Sequence, residues 1–152
     1  MSKIKVHNNV KTLRKKADKL WSFSVKRDWG ERCAVCGNRG GALNAHHLIP
    51  RQHYGTRYDI RNGICLCYQC HTACPKRSPH LNADGWMEWL HKHHPETAIW
   101  YHAMNAEKWS NTVTKNAQYF RDVICELKQY VEPYEFEQLV GFELAQWLEE
   151  NE

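Results

Sequence analysis

The sequence predicts an α+β fold: a small metal-stapled core flanked by an N-terminal helix and a helical C-terminal region. Three observations predict it. Helical periodicity is strong near both ends but absent from residues 31–83. That middle stretch carries two Cys-x-x-Cys pairs, Cys33/Cys36 and Cys67/Cys70, around a His-His doublet. Charge divides the same way. Residues 1–83 hold sixteen Lys+Arg against four Asp+Glu, and residues 84–152 hold five against thirteen. Two regions are therefore expected. Residues 1–83 would combine a basic helix with the stapled core, and residues 84–152 would form a helical region, with packing on that core as one of its possible roles.

The first helix is expected over residues 8–28. Val10, Leu13, Ala17, Leu20, Trp21 and Ser24 recur at three- and four-residue spacing among lysines and arginines, with Asn8 or Asn9 as the cap and Trp29-Gly30 as the stop. Leu43–Ile49 reads as a short strand ended by Pro50, residues 51–61 as a basic loop, and Asn62–Leu66 as a second strand. A short helix follows near Cys70–Cys74, before Pro75 and Pro79. From Asp84, a plausible cap, a helix runs to His93, and residues 96–105 form another. The apolar stripe Val113, Ala117, Phe120, Ile124, Leu127 and Val131 predicts a helix over 110–131. A last helix spans 134–149.

With 42% apolar residues and seven Trp in 152 residues, a modest core is available, and a bound metal would relieve part of its burden. No apolar run approaches membrane-span length, and residues 1–16 lack an apolar signal core. The expected location is the cytoplasm, where thiols stay reduced and paired cysteines favour metal over disulfide. Cys33, Cys36, Cys67 and Cys70 supply the four thiolates of a structural Zn²⁺ site. The 30 residues between the knuckles exceed what a simple ribbon needs, so something is inserted there. Cys65 reads as a buried strand thiol and Cys125 as core. The basic half carrying a metal site points to a polyanion.

At AHHLIP…N…CYQCH the chain resembles the HNH endonuclease family over residues 33–71. A finer resemblance, in AHHLIPRQHYGTRYDIRN, is to phage NinG-type recombination endonucleases. Their Arg-x-His-x-x-Thr-Arg-x-Asp-x-x-Asn run stands here as Arg51, His53, Thr56, Arg57, Asp59 and Asn62. His46 and His71 depart from that subgroup, which often has Gly and Asn there, and are closer to the general HNH pattern. The resemblance implies a ββα-metal core and hydrolysis of DNA phosphodiester bonds. His47 would be the general base, Asn62 would hold the loop that orients it, and His46 and His71 would hold a catalytic ion. His80 is preferred over Cys74 as third ligand, because a thiolate would add an oxidisable group. An imidazole-rich set suits Mn²⁺, Ni²⁺ or Zn²⁺ better than Mg²⁺. Arg51, His53 and Arg57 are candidate DNA contacts; a structural loop network with Asp59 is the alternative for His53 and Arg57. If the chain is phage-encoded, the compartment is the host cytoplasm.

The competing function is a non-catalytic zinc module that binds nucleic acid, which needs the cysteines but neither His47 nor Asn62. DNA is the expected partner and a membrane is not. The acidic helices leave three roles open: packing on the core, a homodimer interface, or contact with another protein.

Overall fold

The computed structural model describes residues 5–152, and the α+β expectation holds: helices accompany one two-stranded antiparallel sheet. The chain forms two compact units. One runs to Ser24 and resumes from Val113 to Glu152; the other is Val25–Thr112. These boundaries do not follow the charge division expected at residue 83. The helices after residue 83 send Trp86, Leu90 and Ala98 into the same core cluster as Cys33, Ile64, Leu66, Cys67 and Cys70.

In the Val25–Thr112 unit, β1 (Leu43–His47) pairs antiparallel with β2 (Gly63–Cys67), setting His46 opposite Ile64 and His47 opposite Gly63. β2 is buried throughout, while β1 is half-buried. β1 stops two residues earlier than expected, and Leu48 and Ile49 leave it as buried core. The basic loop contains a short helix, α2 (Tyr54–Arg57). After β2 comes a π-helical turn, Gln69–Ala73, which carries Cys70 and His71.

Two helices close this unit, α3 (Ala83–His93) and α4 (Pro95–Glu107). Asn82, not Asp84, caps α3: its Oδ1 accepts from Gly85 N–H at 2.9 Å, and its amide donates to the carbonyls of Pro75 and Lys76. Glycine is required at 85, because a Cβ there would lie 2.1 Å from the Lys76 carbonyl oxygen.

The other unit is helical. In α1 (Val10–Asp28), Leu13, Ala17, Leu20, Trp21 and Ser24 are buried, whereas Val10, expected on the same stripe, is 41% exposed. Asn9 caps α1, accepting from Thr12 N–H at 3.0 Å. The helix expected over 110–131 is shorter, α5 (Ala117–Leu127), because Asn116 Oδ1 accepts from Tyr119 N–H and starts it there. The expected 134–149 helix is two helices, α6 (Pro133–Val140) and α7 (Phe142–Asn151). Gly141, at φ +89°, breaks them in a conformation costly for residues with a Cβ. Ahead of α1, the His7 ring stacks on Trp147 with centroids 4.2 Å apart, and Arg121 lies over the same indole while donating to the His7 carbonyl.

Candidate functional site

The first knuckle folds where Cys33 N–H donates to the Asn38 carbonyl and Gly37 N–H to the Cys33 carbonyl. Cys67 ends β2 and Cys70, three residues on, is the second residue of the turn, so sheet and turn present both thiols to the first pair. All four sulfur atoms lie within 4.8 Å of one another, and Cys36 Sγ is 3.7 Å from Cys67 Sγ. A Zn–S bond of about 2.3 Å sets tetrahedral sulfurs about 3.8 Å apart. The cluster therefore fits a structural zinc ion. Burial opposes ionisation of Cys33, but backbone N–H groups of Cys36, Cys67 and Val35 outweigh it and bring the thiol down to about 7, which favours a thiolate ligand. Cys65 is fully buried and pushed up to about 11, chiefly by burial. That thiol stays protonated and outside the cluster.

A second cluster joins His46 of β1, His71 of the π-helical turn and His80 of the following loop. His71 Nε2 lies 3.1 Å from His46 Nδ1 and 2.9 Å from His80 Nε2. One ring nitrogen offers either one proton or one lone pair. It cannot satisfy two partners at once with good geometry, whereas a shared cation accepts a lone pair from each ring. Tetrahedral nitrogens around a zinc-sized ion stand about 3.3 Å apart, close to these separations. Burial, reinforced by His71, His80 and His47, holds His46 down at about 3, so it presents a neutral lone pair throughout the physiological range. His71 is lowered too, by burial and then by His80.

Two groups that the motif did not single out organise this cluster. Ser78, fully buried, donates from Oγ to the His71 carbonyl at 2.6 Å and accepts from His80 N–H at 3.2 Å, joining the two ligand-bearing segments. Trp86 of α3 stands edge-on to His46 with centroids 5.9 Å apart. Ser78 lies within PKRSP, the apparent insertion before His80; Trp86 carried no signal beyond helical periodicity.

His47 follows His46 on β1 and stands close enough to be among the groups that hold His46 neutral. Its Nε2–H donates to the Arg57 carbonyl at 2.9 Å. Since a carbonyl only accepts, the neutral ring carries its basic lone pair on Nδ1. Asn62 is fully buried and pins the surrounding loop. Its Oδ1 accepts from Ile49 N–H at 2.7 Å, and its amide donates to the Ile49 and Thr56 carbonyls at 3.1 Å each.

Of the three basic-loop residues expected at DNA, only Arg51 is exposed. His53 and Arg57 are buried. Arg57 Nη1 donates to the Arg51 carbonyl, and its guanidinium lies 4.8 Å from the Tyr54 ring centroid. Asp59 pairs with Arg61 at 2.7 Å.

Residues 33–77 match the family model for HNH endonuclease. That match and the four-cysteine cluster support the HNH family, and with it a nuclease-type, nucleic-acid-directed metal domain. Among curated proteins, Anaredoxin of Nostoc sp. (strain PCC 7120 / SAG 25.82 / UTEX 2576) is 42% identical over 48 residues, covering 32% of this chain. The aligned stretch spans 62% of that relative's length, less than two thirds of it. No solved structure matches the chain. Among the described residues, no helix is long and apolar enough to cross a membrane.

Proposed function

We propose that the chain is a metal-dependent HNH endonuclease that hydrolyses DNA phosphodiester bonds, with His47 as general base and one divalent ion held by His46, His71 and His80. The observation that carries this reading is the pairing of His47 with the imidazole cluster on adjacent positions of one strand, with His47 Nε2–H donated to the Arg57 carbonyl.

An imidazole near neutral pH is suited to take a proton from water. The Arg57 carbonyl fixes the His47 tautomer, so the proton from the attacking water goes to Nδ1. The same carbonyl stabilises the imidazolium that forms. Asn62 acts through the backbone, keeping Ile49 and Thr56 in place on either side of that loop. A divalent ion bound by the three histidines supplies charge stabilisation at the phosphate and the departing oxygen. A zinc ion held by Cys33, Cys36, Cys67 and Cys70 would be structural, with all four positions filled by thiolates and none open to substrate.

Burial of His53 and Arg57 favours the loop-network role for both, leaving Arg51 as the phosphate contact from this loop. A recombination or branched-DNA substrate rests on the likeness of residues 51–62 to phage NinG-type sequences, and host cytoplasm as the compartment rests on the same likeness.

The test is plasmid cleavage with Mg²⁺, Mn²⁺ or Ni²⁺ by wild-type protein and His47→Ala. A general base contributes about 10²–10⁴-fold, so His47→Ala should lose cleavage by that factor while keeping zinc content and DNA binding. Wild-type rates in the variant would overturn the assignment. A wild-type protein that binds DNA but cuts it with none of the three ions would favour the non-catalytic zinc module.

A further inference from the structure

Of the seven tryptophans, all within the described residues, only Trp109 is exposed, at 75%. It follows α4 and meets the buried His53 at right angles, with ring centroids 4.4 Å apart. Two residues on, the Asn111 side chain lies against Gly55, where a Cβ would come within 2.5 Å of Asn111 Cβ. The 109–111 segment is thus fastened to the 53–57 loop. This is the loop whose Arg57 carbonyl receives His47 and whose Thr56 carbonyl receives Asn62. The Lys108 ammonium stands 5.7 Å from the Trp109 ring centroid, and Arg51 of the same loop region is exposed.

An exposed indole beside a cation is the pairing that sequence-tolerant binders of unpaired nucleic acid use: the cation tracks phosphate and the ring stacks on a base. Within a continuous duplex, both faces of each base are covered by neighbouring pairs. A protein ring that inserts there must first unstack a step at a cost of a few kcal/mol. Unpaired bases at a single strand, flap or fork carry no such cost. We propose that Trp109 stacks on an unpaired nucleobase of the DNA substrate beside the His47 loop, so that the chain selects DNA with an unpaired segment over continuous duplex. This rests on the endonuclease reading for what the site does, but its recognition step is separable.

The test uses the zinc-loaded full chain and labelled single-stranded, flapped and blunt duplex oligonucleotides, followed by fluorescence anisotropy without added divalent ion, with denaturing gels to check that every strand stays intact. Wild type should bind the single-stranded and flapped forms more tightly than the duplex. Trp109→Ala should lose about 5- to 100-fold on those two forms, the range that one stacked base is worth, and little on the duplex. Trp109→Phe should recover most of the loss and Trp109→Leu little. Unchanged melting temperature and zinc content in the variants exclude a folding cause. Equal loss on all three DNAs, no loss on any, or full rescue by Leu would overturn the proposal; the last outcome would mark an apolar patch for a protein partner. If Trp109→Ala keeps wild-type affinity while wild type cuts plasmid, the stacking role fails and the nuclease stands. If stacking is seen but no ion supports cleavage, the reverse holds.

Discussion

In the Val25–Thr112 unit, three of the nine clustered buried residues are cysteines, and the two paired strands are only five residues each. In the helical unit, Phe120, Ile124, Leu127, Phe136, Val140 and Leu144 bury their side chains with no metal-ligand cluster among the described residues. Charge differs as well. The cysteine-bearing unit holds eleven Lys+Arg against seven Asp+Glu, whereas the helical unit holds ten of each. The basic stretch of α1 shares its unit with the acidic helices, and Lys16 has Glu143 among its charged neighbours. The contrast teaches that positive charge along the sequence and positive charge in the fold are different quantities. Here the net positive charge lies with the unit that carries the cysteine and imidazole clusters.

The contrast breaks most completely by removing metal. Apparent binding free energies of structural zinc in small domains run to about 10–16 kcal/mol. A strong chelator, or Cys67→Ser, should therefore melt the cysteine-bearing unit and leave helical signal from the other. Far-ultraviolet circular dichroism with zinc analysis by mass spectrometry reads this out; a single loss of all structure would show that the helical unit does not hold alone. Iron instead of zinc in the purified protein would revise the ion, since four thiolates also suit iron.

Next in size is Asn62→Ala. It leaves Ile49 N–H and the Ile49 carbonyl without their side-chain partner, at about 1–3 kcal/mol for each buried group, while the Thr56 carbonyl keeps Asp59 N–H. The melting temperature should fall by several degrees, and cleavage should fall further than stability because the His47 loop loosens. Loss of stability with full activity would separate Asn62 from the site.

Gly141→Ala probes the other unit. Its backbone conformation costs an alanine about 1–3 kcal/mol. The variant should lower the melting temperature and leave metal content and cleavage per folded molecule untouched.

The smallest effect is one of pH on protein that carries zinc at the cysteines and no ion at the imidazoles. His46 is held at about 3 when folded, against an ordinary value near 6.5 when unfolded. Below 6.5 the unfolded chain binds the proton and the folded one does not, so stability falls as pH drops from 6.5 towards 3 and is unaffected above it. Urea titrations of protein with zinc at the cysteines but no ion at the imidazoles, at pH 7.5 and 5, should show the lower midpoint at pH 5, and His46→Gln should narrow the gap.

The four cysteines were legible in the sequence because two Cys-x-x-Cys pairs suit a tetrahedral ion, and the fold brings their sulfurs within 4.8 Å; the His doublet between them was legible too. The α+β class followed from the same middle stretch. What was not legible depended on close approach across the chain. Asp84 and Asn82 are both good caps, and only the Pro75 and Lys76 carbonyls, brought back beside α3, select Asn82. The 110–131 stripe is periodic through Val113, yet the Asn116 side chain starts the helix later. Ser78 resembles any loop serine until His71 and His80 are folded on either side of it. His53 and Arg57 carried the residue types of phosphate contacts, and burial is a property no local pattern states.

The helical unit is assembled from both ends of the described chain, with the cysteine-bearing unit inserted between them. On the ribosome the consequence is an order of events. The inserted unit has all its residues once Thr112 has emerged, and its ligands can capture metal while the rest is still being made. The helical unit lacks the partners of α1 until α5, α6 and α7 follow, so Leu13, Leu20 and Trp21 wait with their apolar face uncovered. Nascent chains stalled at increasing lengths should become zinc-loaded well before α1 gains protection from proteolysis.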